Sequence, residues 1–295
     1  MIPFTAVVVS HDSAPELRLL LDSIDSQPGP APEVIVVDAL SRDDSAAVAR
    51  RRAQLVQLSE NPGFGVATNV GVARAQSDVT VLLNPDVVLR DRGVAMLARR
   101  ARGRRALLVP RLLNGDGSVQ RSAHPVPGRA AALLPALVHP GLLPRPLRQA
   151  AHPWRSERTR RVGWAIAACV AAPTDLLREL GPFDPGQFLF YEDLDLCLRA
   201  RERGVPTELH PDLRLIHTGG HSTSAAYAGE PRDLLASRRR EVVGARLGSR
   251  ARALDDAAQG LTFATRAGSR LALRRDASRE RAQLEALIRA RRRGE

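Results

Sequence analysis

The chain contains no lysine: all 44 of its cationic side chains are arginine, a uniformity that looks like genomic base bias more than function. Aromatic residues are also scarce, at 3% of 295 positions, so few rings exist to stack on bases and nucleic acid is not expected as a partner. Only two cysteines occur, Cys169 and Cys197, both in apolar contexts and without CxxC spacing. That points to a reducing cytoplasm. No N-terminal hydrophobic signal region precedes the first strand-like run, and no window reaches the ~18 uninterrupted apolar residues of a membrane span. The nearest candidate, Ala130 to Pro144, is broken by three prolines and a histidine.

What is present suffices for a substantial core, since 44% of residues are hydrophobic. The formal net charge is +12, and from Arg232 onward 17 arginines face 8 acids. This basic tail, in Arg-rich helices after about Ser224, suits anionic lipid headgroups better than bases. Solvated helices that brace the rest of the chain, or pair two subunits in a homodimer, fit the same pattern.

Along the first hundred residues, TAVVVS, VIVVD, LVQLS and VTVLLN alternate with helical patterns. This βαβαβαβ order predicts an α/β fold with a Rossmann-like, mixed but mostly parallel sheet flanked by helices. Strands as apolar as VIVV and VTVLL are expected to be buried on both faces. Ligands of such sheets bind beyond the carboxyl ends of the strands. There the sequence places Ser10-His11-Asp12, Asp38, Glu60-Asn61 and Asn84-Pro85-Asp86.

Each set has a bland reading beside a chemical one. Pro85 ends a hydrogen-bond ladder and presents Asp86 past a buried strand, where a carboxylate can hold a divalent cation that grips a diphosphate; a turn aspartate is the alternative. Gly63-Phe64-Gly65 resembles a dinucleotide loop, but Thr68 replaces the third glycine and the motif follows the third strand, so a nicotinamide enzyme is disfavoured. His217 ends the strand LRLI and gains meaning only beside Asp86; His221 follows a double glycine unsuited to a zinc-binding helix. In FLFYEDLDLCLRARERG, Leu194, Cys197, Leu198 and Arg201 recur at helical spacing and Gly204 is a natural stop. Phe188, Phe190 and Tyr191 beside Glu192 and Asp193 suggest a pocket in which one carboxylate takes a proton while the other orients it. Periodicity does not choose between the two, and Asp195 reads as a charge near a helix start.

Taken in order, VVVSHDS, VIVVDALSRDDS, NPGFGVATNVG, LLNPDVVL, GDGSVQRS, GPFDPGQFLFYEDLDLCLR and LIHTGGHS resemble glycosyltransferase family 2, particularly its bacterial rhamnosyltransferase-like members. The resemblance covers roughly the first 220 residues. It implies a GT-A fold over residues 1–223, with a nucleotide-sugar half to about 105, an acceptor half from about 106, and a C-terminal helical extension over 224–295. It further implies an inverting transfer of rhamnose or a similar hexose from a nucleoside-diphosphate sugar (dTDP favoured, UDP or GDP as alternatives) to a glycan or polyprenyl-linked acceptor, with Mg²⁺ or Mn²⁺. Carried over by position, Asp38 binds the base or ribose region, and Ser10, Asp12, Gly63, Asn69 and Asn84 line the donor site. Asp86 and His217 hold the metal, Asp193 is the catalytic base with Glu192 beside it, and Trp164, Phe190 and Tyr191 face the acceptor. The expected location is the cytoplasm, with peripheral attachment at the inner face of the plasma membrane as the alternative. A catalytically silent GT-A scaffold is the competing reading; it predicts binding without turnover.

Overall fold

The computed structural model describes residues 3–138, 143–186, 189–219 and 230–293. Phe188 and His221 lie outside the described residues. The chain forms two compact units: Met1–His124 with Trp154–Ala226, and Pro125–Pro153 with Tyr227–Glu295.

The strands are β1 (Thr5–Ser10), β2 (Glu33–Asp38), β3 (Gln54–Gln57), β4 (Val79–Leu83), β5 (Val87–Val88), β6 (Leu107–Leu113), β7 (Ala123–His124), β8 (Arg160–Val162), β9 (Trp164–Ala165), β10 (Cys169–Pro173) and β11 (Thr207–His217). The α-helices are α1 (Ala14–Asp25), α2 (Ser45–Arg50), α3 (Phe64–Arg74), α4 (Gly93–Ala101), α5 (Leu133–Leu137), α6 (Arg145–Ala151), α7 (Thr174–Leu180), α8 (Glu192–Glu202), α9 (Arg232–Ala272) and α10 (Ser278–Arg293).

The first unit is built on a sheet ordered β3-β2-β1-β4-β10-β6-β11-β5, with β8 on β11, and a separate β7-β9 ribbon. β1 to β4 run parallel, β10 runs against β4 and β6, and β11 runs parallel to β6. The carboxyl ends of β1, β2, β4, β6 and β11 therefore share one rim. Every residue of β1 and β4 is buried, Thr5, Ser10 and Thr80 included, as in strands covered on both faces. Side chains of Leu17, Leu20, Leu21 and Leu97 close one face. On the other, α3 approaches so closely that a Cβ on Gly71 would fall 2.3 Å from Val7 Cγ1. Glycine at 71 is thus what lets this helix seat on β1 and β2.

The second unit is helical. Gly248 breaks α9 with φ 85°, and the pairs Arg239–Asp255 and Arg240–Asp256 tie the two arms across it. The Pro-rich segment 125–153 groups with the C-terminal helices in this unit. Its α5 has only five residues and one buried side chain, so it depends on its neighbour: Thr265 Oγ1 donates to the Ala136 carbonyl at 2.8 Å. Gly128 likewise lies against Ala251, whose carbonyl would sit 2.5 Å from an added Cβ. Among the described residues no helix is long and apolar enough to cross a membrane.

Candidate active site

Ser10 and Asp38 face one another in the register of β1 and β2 and are fully buried. Asp38 Oδ2 accepts from the Ser41 N–H at 3.2 Å, whereas Oδ1 is buried without a hydrogen-bond partner. A buried, unsatisfied carboxylate oxygen at a strand end is costly unless something else occupies it. Beside it the β1 and β2 loops lock together, with Asp12 Oδ1 accepting from Arg42 N at 2.6 Å and Ser41 Oγ from Asp12 N at 3.0 Å. Asp12 and Leu40 both hold left-handed backbone, φ 47° and 57°. Such strain in non-glycine residues persists only where surrounding contacts enforce it.

Past β4, Pro85 ends the ladder and Asp86 meets the end of β11. Its carbonyl accepts from Thr218 N at 3.1 Å, and Oδ1 stands 3.3 Å from His217 Nε2. Burial works to raise the Asp86 carboxyl; the His217 hydrogen bond and charge, with the N–H groups of Asp86 and Gly219, outweigh it and hold the group below its ordinary value. The His217 ring is oriented from behind by Gln120. Gln120 Nε2 donates to Asn114 Oδ1 (3.2 Å) and to the His217 carbonyl (3.3 Å), so its Oε1 accepts from Nδ1 at 2.9 Å. In the neutral ring this network assigns the proton to Nδ1 and turns the Nε2 lone pair toward Asp86 Oδ1 and the Asn84 amide, 3.5 Å away. Two electron-pair donors so close are reconciled by a proton on Nε2 or by a cation.

A third group surrounds the start of α8. Phe190 and Tyr191 have φ 73° and 62°, so both residues before Glu192 are left-handed. Asp12, Leu40, Phe190 and Tyr191 make up four of the five non-glycine residues with positive φ among those described. Glu192 is buried, its Oε2 without a hydrogen bond. Burial first, then the charge of Asp193, pushes its carboxyl up to about 8. Asp193 is less buried, and its Oδ1 accepts from the Leu194 N–H at 2.7 Å. The Trp164 and Tyr191 ring centroids lie 6.1 Å apart, and His124 stacks on Trp164 at 4.2 Å. The stretch from Gln120 to His124 runs from the partner of His217 to the partner of Trp164. On the other side, Trp164 leads to Ala168, whose carbonyl accepts from Asn84 N.

The family model for glycosyl transferase family 2 matches residues 5–167, more than half of the chain. The chain belongs to glycosyltransferase family 2. It is 27% identical over 234 residues to N-acetylglucosaminyl-diphospho-decaprenol L-rhamnosyltransferase of Mycobacterium tuberculosis, covering 74% of this chain and 76% of that one. It is 24% identical over 232 residues to rhamnosyltransferase WbbL of Escherichia coli, covering 75% and 86%. Among solved structures, the mannosyltransferase PcManGT from Pyrobaculum calidifontis, in complex with GDP-Man and Mn²⁺, superposes with a TM-score of 0.60 at 17% identity, covering 98% of this chain and 86% of that one. Residues 1–349 of S. aureus TarS, in complex with UDP-GlcNAc, give 0.54 at 17%, covering 98% and 81%. These likenesses show the fold, GT-A with a C-terminal helical extension. The chain is a rhamnosyltransferase-like glycosyltransferase, an enzyme that transfers a sugar.

Against that family, the donor set at Asp86 fits a divalent cation. Among the described residues no three His, Cys, Asp or Glu side chains gather into a complete metal cage. Mg²⁺ and Mn²⁺ need none here, because they take one or two protein ligands and complete their shell with phosphate and water. Asn84 Oδ1, buried without a hydrogen bond, and Asp86 Oδ1, which faces the His217 ring at 3.3 Å, are groups such an ion would satisfy together with Nε2.

Gly63 caps α3 with φ 89° and donates its N–H to Asn61 Oδ1 at 3.0 Å. Asn69 commits both ends of its amide to the Phe183 backbone, at 2.8 and 3.0 Å, and so clasps α3 to the segment after α7. Asp195 proves to be more than a charge near a helix start. It is fully buried and bonds Arg199 Nε at 2.6 Å, while the rest of that guanidinium caps the carbonyls of Leu180, Gly181 and Pro182. Asp195 and Arg199, four residues apart on one helix, carry a visible i,i+4 signal. Gln120 had no such signal, since its partner lies 97 residues away.

Proposed function

We propose that the chain is an inverting hexosyltransferase that moves rhamnose or a similar 6-deoxy sugar from a dTDP donor to a glycan or polyprenyl-linked acceptor. The observation that carries this reading is the pairing of Asp86 with His217, braced by Gln120, on the same rim as the unsatisfied Asp38 carboxylate. Two curated rhamnosyltransferases similar over three quarters of the chain support the sugar, and one of them names a diphospho-decaprenol acceptor.

In this reading Asp38 takes hydrogen bonds from the base or ribose, and Ser10, Asp12 and Gly63 shape the loops around it. Asp86 and His217 hold Mg²⁺ or Mn²⁺ with the donor diphosphate, and Asn84 lies beside them. When bound, the ion neutralises charge on the departing diphosphate. Glu192 and Asp193 divide their work by environment. Burial keeps a proton on Glu192 at neutral pH, so Asp193 is the group that accepts the proton of the attacking hydroxyl. Trp164 and Tyr191 offer ring faces for the acceptor sugar, and the strained Phe190–Tyr191 backbone fixes the direction in which α8 presents its acids.

Transfer assays across dTDP-, UDP- and GDP-sugars, with Mg²⁺ and with Mn²⁺, test the assignment. Turnover with a dTDP-linked deoxyhexose in preference to the others is expected. Silence with all three, together with no thermal shift from any nucleoside diphosphate, would sink it.

A further inference from the structure

The second unit carries almost all of the chain's excess charge. It contains 20 arginines against 9 acids, a net of +11 out of the +12 for the whole chain. It also inverts the usual placing of apolar residues. Of its ten buried hydrophobic side chains among the described residues, six are alanine: Ala136, Ala258, Ala267, Ala277, Ala286 and Ala290. Only Leu143, Val242, Val243 and Leu287 of its larger aliphatics are buried. Leu134, Leu137, Leu147, Leu271, Leu273 and Ile288 are each 42 to 64% exposed and make up six of the ten exposed large hydrophobics described. Helices that pack on small residues and display leucine among arginines have the make-up of interfacial helices.

We propose that this unit docks on an anionic lipid surface through the leucines of α5 and of the C-terminal end of α9. Thr265 holds α5 through the Ala136 carbonyl, between Leu134 and Leu137. Leu271 lies six residues further along α9, about 9 Å at helical rise. Leu271-Ala272-Leu273-Arg274-Arg275 then runs exposed, with both arginine side chains in solvent beside the two leucines. Asp255 and Asp256 are used against Arg239 and Arg240, and Asp233 against Arg289. At this end Glu280 lies 3.6 Å from Arg270 and Asp276 takes hydrogen bonds from Ser278, which leaves the positive charge of Arg274 and Arg275 in excess. Exposed aliphatics without aromatic rings suit acyl chains and not bases, and clustered arginines suit phosphate headgroups. The docking concerns this unit alone and stands whether or not the donor assignment holds.

Flotation of the full-length protein with phosphatidylcholine vesicles, and with vesicles containing one-third phosphatidylglycerol, tests the proposal. Binding to the anionic vesicles only is expected, reduced about tenfold by Arg274→Glu with Arg275→Glu. The set Leu134→Ser, Leu137→Ser, Leu271→Ser and Leu273→Ser is expected to reduce it about tenfold as well. All of these positions are exposed, and unchanged thermal melts would confirm that the variants fold. Equal binding to both vesicles overturns the proposal. So does loss on charge reversal with the leucine set unchanged, which marks simple charge attraction. Tighter binding to a single-stranded RNA oligonucleotide than to anionic vesicles assigns the surface to nucleic acid and also overturns it.

Discussion

The two units use the same amino-acid alphabet to opposite ends. In the first, valine, leucine and isoleucine fill a buried sheet, the net charge is close to zero, and buried Ser10, Asp38 and His217 stand at the rim of the strands' carboxyl ends. In the second, six of ten buried hydrophobics are alanine, six large aliphatics are displayed, and arginine carries nearly all the net charge of the chain. Where packing is tight enough to specify a sheet, it can also hold unsatisfied carboxylates in place for chemistry. Where it rests on small residues, the surface is what carries information.

Glycine substitutions should affect the two units in opposite directions. Gly71→Val in α3 drives side-chain atoms into Val7 and Val37 and is expected to unfold or severely destabilise the first unit, by about 3 kcal/mol or more. Gly260→Ala in α9 meets only Leu284 and Leu287 at 3.8 Å or beyond, and should stabilise the second unit by up to about 1 kcal/mol. Thermal melts of the two variants read both signs. A tolerated valine at 71 would remove the claim that the first unit is the tightly specified one.

Within the rim, Gln120→Ala should weaken Mn²⁺ binding, measured in the presence of nucleoside diphosphate, by about 10- to 100-fold, because His217 loses the partner that fixes its ring. The ¹⁵N shifts of His217 should move from one defined tautomer to a mixture. A variant with unaltered shifts and affinity would make Gln120 a bystander.

A smaller effect comes from Glu192. Its folded carboxyl titrates near 8, well above the usual value for a glutamate, so the native state binds the extra proton between about 4.5 and 8. Stability contributed by this group is therefore greatest at low pH and is lost as pH rises through that window, with a slope of up to about 1.4 kcal/mol per pH unit. Glu192→Gln should flatten the slope in denaturant titrations at several pH values. An unchanged slope would show that Glu192 is ionised at neutral pH and would undo its division of labour with Asp193.

Much of the first unit was legible in sequence because local signals agree there. Four apolar runs gave four parallel strands, Pro85 ended its ladder as proline must, and Gly204 closed α8 with φ 73°. The residues gathered at the rim were readable because each follows a strand. What remained hidden depends on long-range pairing. Gln120 meets His217 only when β6 and β11 lie side by side, and Asn69 finds the Phe183 backbone 114 residues away. The kinship of segment 125–153 with the C-terminal helices was hidden for the same reason, since its short helices have no core of their own.

In the proposed mechanism Asp193 performs the proton transfer while the rim of β1, β2, β4 and β11 holds the donor. Single-turnover transfer by Asp193→Asn, with donor affinity measured on the same protein by calorimetry, tests it most directly. A fall in transfer of about 10²- to 10⁴-fold with donor affinity little changed is the predicted result. Transfer at the wild-type rate, or loss of donor binding in step with loss of transfer, would contradict it.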